Sequence, residues 1–143
     1  IDKFMGDGIM ATFGAAVTMD SLAADALRAV DDIVAEVDRW NTERADAGNP
    51  VLRVGVACAA GRIIFGAVGD ETRLEYTVIG DAVNSAAKLE KQTKVKAVRA
   101  LTDATTLQIA ETRGFVAPEE IERRANRTVE GIDAPMDLVV LAK

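Results

Sequence analysis

The chain has 143 residues, 49% of them hydrophobic, with a formal net charge of −6 and neither a histidine nor more than one cysteine. That is enough for one globular domain with one core over residues 1–143, and the acidic balance excludes a protein that coats nucleic acid through a basic surface. An internal disulfide is impossible, and without His any metal chemistry must rest on carboxylates.

Along the chain, Phe4-Met5 and Ile9 to Phe13 flank Gly6-Asp7-Gly8, where Asp-Gly predicts a tight hairpin. From Asp20 to about Ala45, Leu22, Ala26, Val30, Ile33, Val37 and Trp40 recur at helical spacing, and Gly48-Asn49-Pro50 stops the helix. Val51 to Cys58 and Ile63 to Val68, joined at Ala60-Gly61, predict a second, largely buried hairpin. Asp70 to Thr77 is polar. Asp81 is placed to cap a helix running to about Gln92. Val98 to Leu101 reads as a strand, Thr102-Asp103 caps a helix to about Glu111, and Phe115-Val116 and Met136 to Leu141 are strand-like. Apolar stretches are broken within about ten residues, too short for a membrane span, so a soluble cytoplasmic chain is expected. The element order predicts α/β (α+β) architecture, helices over an antiparallel sheet.

Two segments carry a family resemblance: Lys3-Phe4-Met5-Gly6-Asp7-Gly8 with Ile9 to Gly14, and Tyr76-Thr77-Val78-Ile79-Gly80-Asp81-Ala82-Val83-Asn84 with Ser85 to Glu90. Both closely resemble the signature stretches of class III adenylate and guanylate cyclase catalytic domains, and a long helix and the Arg53-Val54-Gly55-Val56 stretch separate them as in that family. The resemblance covers nearly the whole chain. It implies a ferredoxin-like antiparallel sheet with helices packed on it, the nucleotidyl cyclase fold, dimerised so that active sites lie at the subunit interface. It also implies that the N-terminal strand and helix of that fold, with the first metal-binding aspartate, are missing from these residues.

By the same resemblance, Asp7 is the second metal aspartate, holding one of two Mg2+ or Mn2+ ions. Lys3 and Thr77 would read the purine, with Val78 lining the base pocket through its backbone. The Lys and Thr pair resembles the class IIIb subgroup and implies ATP as substrate and 3′,5′-cyclic AMP as product, in signal transduction. Asn84 would orient the ribose, and Lys88, four residues on and on the same helix face, would meet the α-phosphate. The implied partners are ATP, a second copy of the chain in a homodimer, and an upstream sensor or regulatory domain; no nucleic acid is expected.

Two positions depart from the family pattern. Lys88 stands where an arginine is usual, and lysine keeps the charge without the bidentate fork. Val129-Glu130-Gly131 stands where many members carry a Lys-Gly pair. These departures leave open an alternative, a weak or inactive pseudo-cyclase that serves as a regulatory or dimerisation module. They also leave open Lys88 as a solvated helix lysine, and Asp7 as no more than a turn residue.

Overall fold

A computed structural model describes residues 1–15, 17, 19–69 and 74–143. The longest element is helix α1 (Leu22–Asp46). It forms because alanines and aliphatic residues repeat on one face: Ala23, Ala24, Ala26, Leu27, Val30 and Val37 are buried, while Arg39 pairs with Glu36 and Glu43 on the solvent face. At its start Ser21 Oγ donates to Asp25 Oδ2 at 2.6 Å. The buried stripe is shifted from the predicted one. Leu27 is its centre, whereas Ile33 and Trp40 stay substantially exposed, because the sheet lies under the N-terminal half of the helix.

That sheet has four strands in the order β3 (Val56–Cys58), β6 (Ala100–Asp103), β8 (Met136–Ala142) and β7 (Glu122–Arg127). Helix α2 (Asp81–Val95) and helix α3 (Ala104–Glu111) complete the layer. Pairing of β6 with β8 and of β8 with β7 is antiparallel. The β3–β6 pair is parallel, unlike the expectation of an antiparallel sheet, and the long connection through α2 is what permits this. The core sits between α1, α3 and the sheet, where Leu27, Leu107, Ala110, Phe115 and Val139 meet; a second cluster joins Leu89 of α2 to Val129 and Leu138.

Among the described residues, the polar side chains of this layer find hydrogen-bond partners. Asp103 caps α3 by accepting from the Thr106 backbone N–H at 2.9 Å, as its sequence position predicts. The Thr106 hydroxyl donates to Asp103 Oδ2 and accepts from the Ala60 N–H, tying α3 to the end of β3. Thr102 Oγ1 donates to the Cys58 carbonyl. Burial pushes the Cys58 thiol up to about 11, helped by nearby Asp103, so this cysteine is a core residue and not a nucleophile.

Two hairpins stand apart from the sheet. Strands β1 (Lys3–Met5) and β2 (Gly8–Met10) pair antiparallel, with Met5 opposite Gly8. The two turn residues are therefore Gly6 and Asp7, not Asp7 and Gly8, and Gly6 supplies the positive φ (64°) that such turns require. Strands β4 (Ile64–Gly69) and β5 (Leu74–Ile79) form the second hairpin.

Here the predicted pairing is corrected. Val56–Cys58 does not pair with Ile64–Gly69; it joins the main sheet, and β4 takes Leu74–Ile79 as partner. Residues 51–55 form no strand, and neither Ile64 nor Phe65 is buried. The predicted polar stretch thus contributes strand at Leu74–Thr77; Asp70 to Arg73 lie outside the described residues. Asp81 is the first residue of α2, with Gly80 in the cap position. Phe115-Val116 is not a strand, because Phe115 is an anchor of the α1–α3 core. The strand lies instead at Glu122–Arg127, with Asn126 in a left-handed conformation and its N–H bonded to Asp137 Oδ1 where the register shifts. Among the described residues, no helix is long and apolar enough to cross a membrane.

Candidate functional site

The predicted site residues lie on the hairpins and on α2, which follows directly from β5 through Gly80. Lys3 opens β1, and Thr77 lies mid-way along β5 opposite Gly66. Although 74 positions apart in sequence, they meet: Lys3 Nζ donates to Thr77 Oγ1 at 2.5 Å. This bond joins the two hairpins. Val78 beside it is buried.

Asp2, which the sequence reading passed over, approaches the same ammonium. Its Oδ2 lies 3.6 Å from Lys3 Nζ; the Asp2 side chain is only 4% exposed, against 40% for Lys3. Among the described residues Oδ2 has no hydrogen-bond partner. Its place immediately before Lys3 was the available clue.

Asp7 occupies the tip of the β1–β2 turn, exposed. It offers one hard oxygen ligand on a rigid turn. Among the described residues no group of three or more His, Cys, Asp or Glu could hold a metal ion, so these residues do not by themselves fit a two-ion centre.

Asn84 and Lys88 lie one turn apart on α2, Asn84 exposed and Lys88 half-buried. The Lys88 ammonium donates to the Gly131 carbonyl, in the loop between β7 and β8. Gly131 has a φ of 80°, and a Cβ there would lie 3.0 Å from Lys88 Cε, so glycine permits both the turn and the close passage of the lysine. The two positions that depart from the family pattern are therefore neighbours in space. Glu130 is exposed beside this contact.

Two clefts flank these residues. One of about 400 Å³ lies against Asp2, Phe13, Leu22, Asp25 and Phe65; another of about 240 Å³ is lined by Gly61, Arg62, Asp81, Ser85 and Asp103. Neither takes in Lys3 or Thr77. The pair instead opens on a surface with large exposed apolar neighbours: Phe4, Ile9, Ile64, Phe65, Tyr76 and Ile79.

A family model for the adenylate and guanylate cyclase catalytic domain matches residues 3–141. An adenylate cyclase of Anabaena cylindrica is 39% identical over 98 residues, which are 66% of this chain and 18% of that protein. An uncharacterized protein of Mycobacterium tuberculosis is 39% identical over 110 residues, 77% of this chain and 19% of that protein. The chain thus spans less than a fifth of the length of these relatives. Among solved structures, the guanylyl cyclase Cya2 superposes with a TM-score of 0.76 at 24% identity, covering 98% of this chain and 68% of that one. The adenylyl cyclase CyaB from P. aeruginosa superposes with a TM-score of 0.68 at 25% identity, covering 99% and 70%.

Proposed function

The chain belongs to the adenylate and guanylate cyclase catalytic domain family, and from that premise we propose that it is a single catalytic domain that forms 3′,5′-cyclic AMP from ATP as part of a homodimer. Cyclases of this family act as dimers on nucleotides and use divalent metal ions. The observation that carries the choice of ATP is the bond between Lys3 and Thr77, which puts an ammonium donor and a hydroxyl side by side where a purine edge can be read. Val78, buried next to Thr77, would line the base site through its backbone.

Asn84 then holds the ribose and Lys88 neutralises charge gathering on the α-phosphate. In the reaction the 3′-hydroxyl gives up its proton to water, its oxygen bonds to the α-phosphorus, and the bond to pyrophosphate breaks. Asp7 would supply one carboxylate to a Mg2+ or Mn2+ ion, whose charge would offset that of the phosphates. The remaining ligands are expected from residues outside those described. The apolar surface around Lys3 and Thr77 supports a site shared between two copies, because exposed apolar patches mark interaction surfaces. An upstream sensor or regulatory domain fits the relatives' greater length.

The test uses the full-length protein with Mn2+ and either ATP or GTP, following cyclic nucleotide and pyrophosphate. Cyclic AMP should dominate. Changing Lys3 to Glu together with Thr77 to Cys exchanges donor for acceptor along the purine edge and should shift the ATP to GTP ratio of kcat/KM by on the order of a hundredfold. An unchanged ratio would refute base reading by this pair.

A second reading is favoured by one contact. Lys88 is engaged with the Gly131 carbonyl beside acidic Glu130, an arrangement that suits a pseudo-cyclase kept for dimerisation and regulation. Absence of metal-dependent turnover in the full-length protein would favour it.

A further inference from the structure

Lys3 has a flexible four-carbon stem, and a lysine ammonium carries three donor protons that turn together about the last bond of that stem. A ring nitrogen can be selected only if one of those protons is left free and aimed. Thr77 Oγ1 takes one of them at 2.5 Å. The carboxylate of Asp2 lies 3.6 Å from the same nitrogen, within ion-pair reach.

The Asp2 residue borders the larger cleft, but its carboxylate is turned in toward Lys3. Its side chain is almost wholly withdrawn from water, and Oδ2 is without a hydrogen-bond partner among the described residues. Withdrawing a carboxylate from water is unfavourable unless a cation compensates it, and the cation it faces is Lys3. The backbone of Asp2 is held as well, because its N–H donates to the Met10 carbonyl at 2.8 Å beside the start of the β1–β2 ladder, which leaves the carboxylate only its own side-chain rotations. The ammonium is drawn toward that carboxylate.

We propose that Asp2 is a positioning residue for nucleotide selection: with Thr77 it clamps the Lys3 ammonium and leaves the third N–H directed at a ring acceptor of the purine. The inference rests on the reading of Lys3 as the base contact. Asp2 touches no nucleotide itself; it acts through Lys3, so its removal should weaken recognition of ATP and leave GTP turnover nearly unchanged.

The experiment compares the full-length wild type with Asp2→Asn, Asp2→Ser, Lys3→Met and the Asp2→Asn, Lys3→Met double variant, measuring melting temperature and kcat/KM for ATP and GTP with Mn2+. Asp2→Asn should melt near the wild type and lower the ATP to GTP ratio about tenfold, and it should add nothing once Lys3 is Met, because both changes break one device. If Lys3→Met shifts the ratio and Asp2→Asn does not, the clamp is wrong and base reading by Lys3 stands. If Lys3→Met itself leaves the ratio unchanged, base reading fails and the clamp falls with it. Equal losses on both nucleotides, additive effects in the double variant, or loss of fold in both Asp2 variants would each assign Asp2 to structure and overturn the proposal.

Discussion

In the four-stranded sheet Leu101, Leu138 and Val139 have no exposed surface, whereas in the β4–β5 hairpin Ile64 and Tyr76 each keep 74% of theirs. Both regions are rich in apolar residues, but the sheet has α1, α2 and α3 to bury them against. The hairpins have no comparable cover within the described residues. The residues proposed to bind base and metal, Lys3, Asp7, Thr77 and Val78, all belong to the hairpins. Core packing and the proposed base and metal contacts thus lie in different regions: one holds the chain folded, the other carries those groups on an exposed apolar surface, and α2 with Asn84 and Lys88 lies between them.

The largest expected effect breaks the first region alone. Val30 is buried in the stripe of α1 that faces the sheet, so Val30→Asp places an unpaired charge in the core at a cost of several kcal/mol and should abolish the cooperative melt. A melting temperature equal to wild type would contradict the layering. An intermediate effect should come from Tyr76→Glu. Its side chain is largely in water, so circular dichroism should melt within a few degrees of wild type. The proposed dimer should dissociate on the order of thirtyfold more readily in sedimentation, taking cyclase activity with it. Unfolding on this change would show that the hairpins support the core after all.

The smallest expected effect tests α2, which spans the two regions. Lys88→Arg restores a bidentate fork and should raise kcat up to about tenfold with little change in KM; Lys88→Ala should lower it. Equal rates in all three proteins would leave Lys88 as a surface residue bonded to Gly131. No turnover even in the Arg variant would favour the regulatory reading.

The same division explains what was legible in the sequence. Helix periodicity, the Asp103 cap and the first hairpin follow from local rules, and the structure bears them out with ends shifted by a few residues. The partner of β4 was not legible, because Val56–Cys58 and Leu74–Ile79 are both apolar enough to pair with it. Only tertiary packing chooses. Strand β7 escaped detection because Glu122–Arg127 carries charge where an apolar alternation would have marked it. At the site, the two signature segments identify Lys3, Asp7, Thr77, Asn84 and Lys88 from resemblance. The meeting of Lys3 with Thr77 and the hold of Gly131 on Lys88 depend on packing between elements 74 and 43 positions apart, which no local pattern reports.

Strand β7 has one more consequence. As an edge of the sheet it offers unpaired backbone groups to any extended chain that passes, which is the usual route to runaway strand addition. Its exposed Arg123 and Arg127 and the break in register at Asn126 make that edge charged and bent, a poor template for a fifth strand. A cell could therefore make this protein at high concentration, with apolar hairpins on display, without seeding fibrils from this end of the sheet.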